Sequence, residues 1–344
     1  MSSDITAIDL FCGVGGLTRG LIDSGINVEA GIEIDQDCRF AYEANNNSHF
    51  IERDVAAVKA AEIQELFGDS PVTVLAGCAP CQPFSTFTQG RGRRGPRSNW
   101  TLLDQFGRLV EETTPDIVAM ENVPSLQKHL VFRRFLDCLS DNGYRASVSV
   151  AACTDYGVPQ LRRRLIVLAS RMGPIELSAR KTRKAKTVRD AIGGLPELEA
   201  GEQSQSDFIH KAAGLTKRNL QRIRASKPGG TWRDWNKNLR SSCHNKESGN
   251  SYVGVYGRME WDSPAPTITT QFYNYGSGRF GHPDQDRAIS LREGAVLQSF
   301  PKSYVFSDSS EVSLTKTSRL IGNAVPVKLG SAVGRSIKQH VSNI

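Results

Sequence analysis

The chain has no apolar run near the roughly 20 residues that a bilayer-crossing helix needs, so no membrane span is expected. Its first residues, MSSDITAIDLF, lack a basic stretch followed by an apolar core, so no secretory signal is expected either. The seven cysteines are odd in number and scattered, which suits a reducing compartment rather than a disulfide framework. No second Cys-x-x-Cys accompanies Cys78 and Cys81, and no His-x-x-x-His occurs, so a four-ligand zinc site lacks donors. No internal repeat is present. What is present is an ordinary globular composition, 39% hydrophobic and 23% charged, over 344 residues, enough for one large domain or two.

The charge is unevenly placed. Between Gln160 and Arg240 there are 19 Lys/Arg against 7 Asp/Glu, whereas the net charge of the whole chain is only +7. The rest of the chain is therefore mildly acidic. A basic block on such a body fits either a polyanion partner or a solvated cationic surface.

Apolar runs alternate with helical spacing in the first half. Ile5–Phe11, Val28–Ile34, Val72–Gly77, Asp116–Asn122 and Arg163–Ser170 read as buried strands, and amphipathic stretches lie between them. This rhythm predicts an α/β fold with a parallel, doubly wound sheet. It stops near Arg171, and a basic, loop-rich stretch follows. Helical patterning returns near Ser290. The expected organisation is a first part of a large domain over 1–171, a smaller irregular domain over 172–288, and a return to the large domain over 289–344.

At the end of the first strand, DLFCGVGGLTRG puts Asp9 before a turn holding Gly13, Gly15 and Gly16. Glu33 ends the next strand, 20 positions after Gly13, where a carboxylate can hold ribose hydroxyls. The spacing is GxGG, without the third glycine of a dinucleotide loop. An adenosine cofactor without a pyrophosphate fits better, and S-adenosylmethionine is the candidate. Asp54 follows the third strand and can either accept from an adenine amine or cap a helix.

The stretch GCAPCQPFS can be a redox pair, half a metal site or a lone nucleophile. A redox pair belongs at a helix start, whereas Gln82-Pro83 follows here. A nucleophile fits the location, because the loop leaves the carboxyl edge of the sheet, where doubly wound folds bind ligands. Cys81, flanked by Pro80 and Gln82-Pro83, has a stiff backbone. Glu121 ends an apolar strand where no structural need for a carboxylate is apparent. Gln160, Arg162 and Arg164 alternate, which places them on one face of an extended segment.

These residues, taken together, resemble the DNA (cytosine-5)-methyltransferases. DLFCGVGG is similar to the family's cofactor loop, PCQPFS to its nucleophile loop, ENV to its catalytic glutamate motif and QLRRRL to its QxRxR motif. REGAVLQSFP and GNAVPV are similar to its last two blocks, and the six blocks stand in family order. The resemblance implies a Rossmann-like catalytic domain that binds S-adenosylmethionine through Asp9, Phe11, Gly13, Gly15, Gly16, Glu33, Asp54, Pro80, Leu102 and Asn323. It implies that the basic middle region is a target-recognition domain.

The resemblance also implies the chemistry. Cys81 adds to carbon 6 of a flipped-out cytosine, Glu121 holds or protonates ring nitrogen 3, and Arg164 engages the carbonyl oxygen. Arg162 supports Glu121 or the cysteine loop, and Cys78 has no part. Gln82, Ser85, Arg91, Arg94, Gln160, Thr267, Ile268 and Arg279 are the expected DNA contacts. Trp232, Trp235 and Tyr273 either read bases or fill a small core. The expected substrate is double-stranded DNA, with transfer RNA as the alternative. The setting implied is a bacterial modification enzyme: a cytoplasmic, nucleoid-associated monomer, with any cognate restriction endonuclease acting independently.

Overall fold

A computed structural model describes residues 5–80, 101–178, 184–246 and 253–344. Cys81, Gln82, Ser85, Arg91 and Arg94 lie outside the described residues, as does the Gly/Arg stretch to which the arginines belong. The chain forms two compact units. The first comprises Met1–Tyr156, Arg163–Lys181 and Val325–Ile344; the second comprises Gly157–Arg162 and Thr182–Ala324. The return to the first unit comes at Val325 rather than at residue 289. The N–H groups of Leu291 and Arg292 donate to the Lys211 and Ile209 carbonyls at 3.1 and 2.8 Å, which ties helix Leu291–Leu297 into the second unit.

In the first unit the strands are β1 (Ile5–Leu10), β2 (Asn27–Glu33), β3 (His49–Glu52), β4 (Val72–Gly77), β5 (Ile117–Asn122), β6 (Arg145–Ala152) and β7 (Arg163–Ser170). Their order in the single sheet is β3-β2-β1-β4-β5-β7-β6. The first five are parallel, and β7 is antiparallel to both β5 and β6. The wholly parallel sheet expected from sequence is thus corrected at β7. Residues 153–162 between β6 and β7 are too few for a helical crossover, so the chain turns back on itself.

β1 and β5 are buried along their whole length because helices cover both faces of a doubly wound sheet. Leu103, Phe106, Leu109 and Val110 recur at helical spacing in Leu102–Thr113. They share one core with Phe135 and Leu139 of Leu130–Asp141 and with Leu75, Val118 and Leu165 of the sheet. Each such side chain contributes roughly 1.5–3 kcal/mol by leaving water. Helix Gly16–Asp23 packs on the C-terminal helix Val327–Ser342. Strand order reverses between β1 and β4, the switch point at which doubly wound sheets leave a ligand crevice.

The second unit has short helices, turns and isolated bridges. Trp232 and Trp235 are 2% and 3% exposed, so they fill a core rather than read bases. His244 stacks on Trp232 at 4.3 Å, and the Arg222 guanidinium lies 5.0 Å from the Tyr256 ring. The hydroxyl of Tyr273, half-buried, lies 3.1 Å from Thr315 Oγ1. Among the described residues, no helix is long and apolar enough to cross a membrane.

Candidate functional site

The loop after β1 has an unusual backbone. Phe11 has φ of 58°, a left-handed conformation that is strained for a bulky residue. Gly13 and Gly15 follow at 53° and 81°, which glycine adopts freely. Among the described residues, a Cβ built at Gly13 meets nothing within 4 Å. Gly16 differs. Its Cβ would lie 2.2 Å from the Val325 carbonyl oxygen, so its lack of a side chain serves helix packing.

Glu33 is joined to this loop. Its Oε2 accepts the Gly13 N–H at 3.1 Å, and its Oε1 accepts those of Ile34 and Asp35 at 2.9 and 3.0 Å. Burial pushes the carboxyl above its ordinary range, and the N–H groups only partly oppose this. Asp9, expected at the ligand, lies beneath the loop and is 1% exposed. Its Oδ2 accepts from Thr18 Oγ1 at 2.7 Å, anchoring helix Gly16–Asp23. Among the described residues its Oδ1 has no hydrogen-bond partner. Burial pushes Asp9 up to about 7.

Asp54 is exposed and caps the turn Val55–Ala57 by accepting the Ala56 N–H at 2.9 Å. Pro80 and Leu102 are half-buried, the first just past β4 and the second at the start of its helix. Asn323 is exposed at the end of helix Leu314–Asn323, in the second unit.

Strand register assembles the next group. Gly77 of β4 pairs with Met120 of β5, so Cys78 and Glu121 stand level at the carboxyl edge. Asn122 of β5 pairs with Leu165 of β7. Because β7 is antiparallel, its beginning lies at that same edge and delivers Arg164. Cys78 Sγ donates to Glu121 Oε2 at 2.8 Å, and Arg164 Nε lies 2.7 Å from Glu121 Oε1. The Nε–H is not aimed at that oxygen. Oε1 therefore has a charge contact but no directed hydrogen bond among the described residues, although Glu121 is 4% exposed. Asn122 Nδ2 donates to the Ala79 carbonyl at 2.9 Å and ties β5 to the segment that leads through Pro80 to Cys81.

Sequence reasoning missed Cys78 and Asn122. Asn122 stood inside ENV, so the signal was at hand. Cys78 was passed over because it gained a role only through its pairing across strands.

The remaining motif residues build a joint in the second unit. Gln160 is 0% exposed; its Oε1 accepts the Ile268 N–H at 2.9 Å, and its Nε2 donates to Gln298 Oε1 at 3.0 Å. Arg162 Nη1 donates to the Ile268 carbonyl at 3.0 Å. Both were expected elsewhere, Gln160 on DNA and Arg162 at Glu121 or the cysteine loop. In the structure they clamp the backbone of Ile268, which is itself fully buried. Thr267 is half-buried, with its hydroxyl donating to the Leu161 carbonyl at 2.8 Å. Arg279, also half-buried, donates to the Gly230 carbonyl at 2.6 Å.

Comparison with known proteins gives one consistent answer. Residues 5–339 match the C-5 cytosine-specific DNA methylase family. The chain is 49% identical over 342 residues to the Type II methylase M.HgiDII of Herpetosiphon aurantiacus, covering 98% of this chain and 96% of that one. It is 30% identical over 350 residues to the Type II methyltransferase M1.HphI of Haemophilus parahaemolyticus, covering 98% and 88%. The fold is similar to that of a protein described as a DNA modification methyltransferase encoded within an E. coli prophage. That likeness has a TM-score of 0.76 at 23% identity and covers 98% of this chain and 99% of the other. From this match over nearly its whole length, the chain belongs to the C-5 cytosine-specific DNA methylases and is a DNA (cytosine-5)-methyltransferase.

Proposed function

We propose that the enzyme methylates carbon 5 of a cytosine flipped out of a specific duplex DNA sequence, through a covalent Cys81 adduct. The observation that carries this reading is Glu121, a buried carboxylate at the carboxyl edge with one oxygen beside Arg164 yet without a directed hydrogen bond among the described residues. A buried acceptor left in that state costs about 1–3 kcal/mol, and a ligand donor offsets it. Cys81 follows Pro80 directly, at the end of the segment that Asn122 holds.

The residues fit S-adenosylmethionine. Glu33 is an acceptor-only carboxylate suited to ribose hydroxyls, and the open space over Gly13 admits a ligand beside the backbone. Phe11, Asp54, Pro80 and Leu102 complete the proposed pocket, while Asp9, Gly15 and Gly16 shape its loop. Bound there, S-adenosylmethionine supplies the methyl group from a sulfonium.

Carbon 5 of cytosine is a poor nucleophile. The Cys81 thiolate forms a bond to carbon 6, and Glu121 holds a proton at ring nitrogen 3, so electron density collects at carbon 5. Arg164 keeps the Glu121 carboxylate in place and engages the carbonyl oxygen of the base. After methylation, loss of the carbon 5 proton and release of Cys81 restore the aromatic ring. The target atoms are inaccessible in a stacked duplex, hence the flipped base.

The second unit acts as the target-recognition domain. Gln160 and Arg162 set the backbone at the buried Ile268, and Thr267 beside it faces the base. Arg279, bonded to the Gly230 carbonyl, is a further DNA contact, as are Gln82, Ser85, Arg91 and Arg94. The protein acts as a cytoplasmic, nucleoid-associated monomer, independently of any restriction endonuclease of the same specificity. The test compares methyl incorporation into duplex DNA and into transfer RNA, with Cys81→Ser as control, and maps the product by bisulfite sequencing. Incorporation into duplex DNA that Cys81→Ser abolishes supports the reading. Full activity of Cys81→Ser, or methylation of transfer RNA alone, overturns it.

A further inference from the structure

We propose that Cys78 is a positioning residue for Glu121: its thiol holds Oε2 and so leaves Oε1 to face the substrate base. This rests on the assignment of Glu121 to ring nitrogen 3. The juxtaposition is built in at three levels. Register places Gly77 opposite Met120, which sets Cys78 level with Glu121. The Cys78 N–H donates to the Leu10 carbonyl at 3.2 Å, so β1 fixes its backbone. Gly77 lets that backbone lie close against β1, since a Cβ there would lie 2.8 Å from the Leu10 oxygen. The thiol then meets Glu121 Oε2 at 2.8 Å.

The choice of a thiol has a chemical reason. Glu121 must be oriented and must also share a proton with the base. A second cation on Oε2, added to Arg164 beside Oε1, would put a second positive charge where the base must approach. A thiol is a neutral, weak donor. It fixes the oxygen without bringing a second charge to the carboxylate. It also explains how two cysteines three positions apart serve different ends. Cys78 keeps its proton as the donor to a carboxylate, and Cys81 is left as the nucleophile.

The test is single-turnover methylation of duplex DNA at saturating cofactor, with equilibrium binding of DNA and of S-adenosylmethionine measured in parallel. Cys78→Ala is expected to slow the single-turnover rate about tenfold, or about 1.4 kcal/mol. Both binding constants should stay within about twofold, the difference a pure positioning defect leaves. Cys78→Ser restores a donor and should return the rate to within about threefold of wild type. In a Glu121→Ala background the Cys78→Ala change should have no further effect, because the group it acts through is gone. If Cys78→Ala does not fold, Cys78→Val fills the volume without a donor and must show the same loss. A wild-type rate in Cys78→Ala or Cys78→Val overturns the proposal, as does an equal loss in both backgrounds. A wild-type rate in Glu121→Ala alone instead overturns the role of Glu121, so the two failures are separable.

Discussion

Two buried glutamates, one in each unit, are held in opposite ways. Glu293 in the second unit is 1% exposed, and its partner Arg287 is 0% exposed. Arg287 grips it at both ends, Nη1 to Oε2 at 2.7 Å and Nη2 to Oε1 at 2.8 Å, and the Ser290 N–H adds a bond of 2.6 Å to Oε2. Burial acts to raise the Glu293 carboxyl, but the hydrogen bonds and charge of Arg287 win and hold it below the ordinary range. Glu121 in the first unit is also buried, yet among the described residues only Oε2 receives a directed bond, from Cys78. A carboxylate whose bonds are all filled by protein can only hold a fold together. One with a charged neighbour and an open oxygen is prepared for a ligand.

The largest effect expected from this contrast is structural. Glu293→Gln strands the Arg287 charge in the core, and losing one partner of a buried pair costs about 3–5 kcal/mol. Urea unfolding should report that loss. The mirror experiment is Glu121→Gln. It should slow single-turnover methyl transfer by about a hundredfold, or about 2.7 kcal/mol, while changing unfolding stability by less than about 1 kcal/mol. A stable Glu293→Gln, or a Glu121→Gln that unfolds, would erase the distinction.

The sequence made part of this contrast visible. β1, β2, β4, β5 and β7 stood out as apolar runs because they are covered on both faces. His49–Glu52 was too short to show, and Arg145–Ala152 is an edge strand with exposed positions along it. Strand direction was not legible either. An all-parallel sheet would put the start of β7, and with it Arg164, at the wrong edge; only the antiparallel pairing of Asn122 with Leu165 brings Arg164 to Glu121. Cys78 and Glu121 are 43 positions apart, and no local pattern encodes the register that joins them. Alternation in QLRRRL was real, with Gln160 and Arg162 inward and Leu161 outward, but it could not say that the inward amide was already fully engaged.

A smaller effect tests the saturated side of the comparison through pH. His282 lies with its Nε2 3.7 Å from Glu293 Oε1. Its Nδ1 accepts the N–H groups of Asp284 and Gln285 at 3.2 and 3.0 Å, an arrangement that suits the neutral ring. Burial pushes its pKa down to about 4, against the pull of Glu293. The unfolded chain therefore takes up this proton first as the pH falls. The stability His282 contributes is present above pH 6.5 and is lost between about 6.5 and 4, at up to about 1.4 kcal/mol per pH unit. His282→Asn keeps an acceptor for the two N–H groups and cannot titrate. It should flatten the acid limb of the unfolding curve in that window. An unchanged limb would assign acid sensitivity to other groups.

The smallest effect carries the same rule to the surface. Arg189 is committed to Asp262 through two hydrogen bonds, Nε at 2.8 Å and Nη2 at 3.1 Å, whereas Lys184 and Lys186 are exposed and form no ion pair among the described residues. If a charge already engaged by protein is withheld from a ligand, only the lysines should answer to DNA phosphates. Each phosphate neutralised contributes about 0.9 to the slope of log affinity against log salt. Lys184→Ala and Lys186→Ala should each lower the slope by up to that amount and weaken binding alike on cognate and unrelated duplexes, because phosphate contacts carry no sequence information. Arg189→Ala should leave the slope nearly unchanged. Substitutions at Thr267 should behave differently again, lowering methylation of the cognate site or widening the set of sites, at about 1–3 kcal/mol per misread base pair. Salt titrations on two duplexes, read beside a genome-wide methylation profile, separate these outcomes. A slope that falls as much for Arg189→Ala as for the lysines would show that the Asp262 pair opens on DNA, and that satisfaction within the protein does not predict silence toward a ligand at this surface.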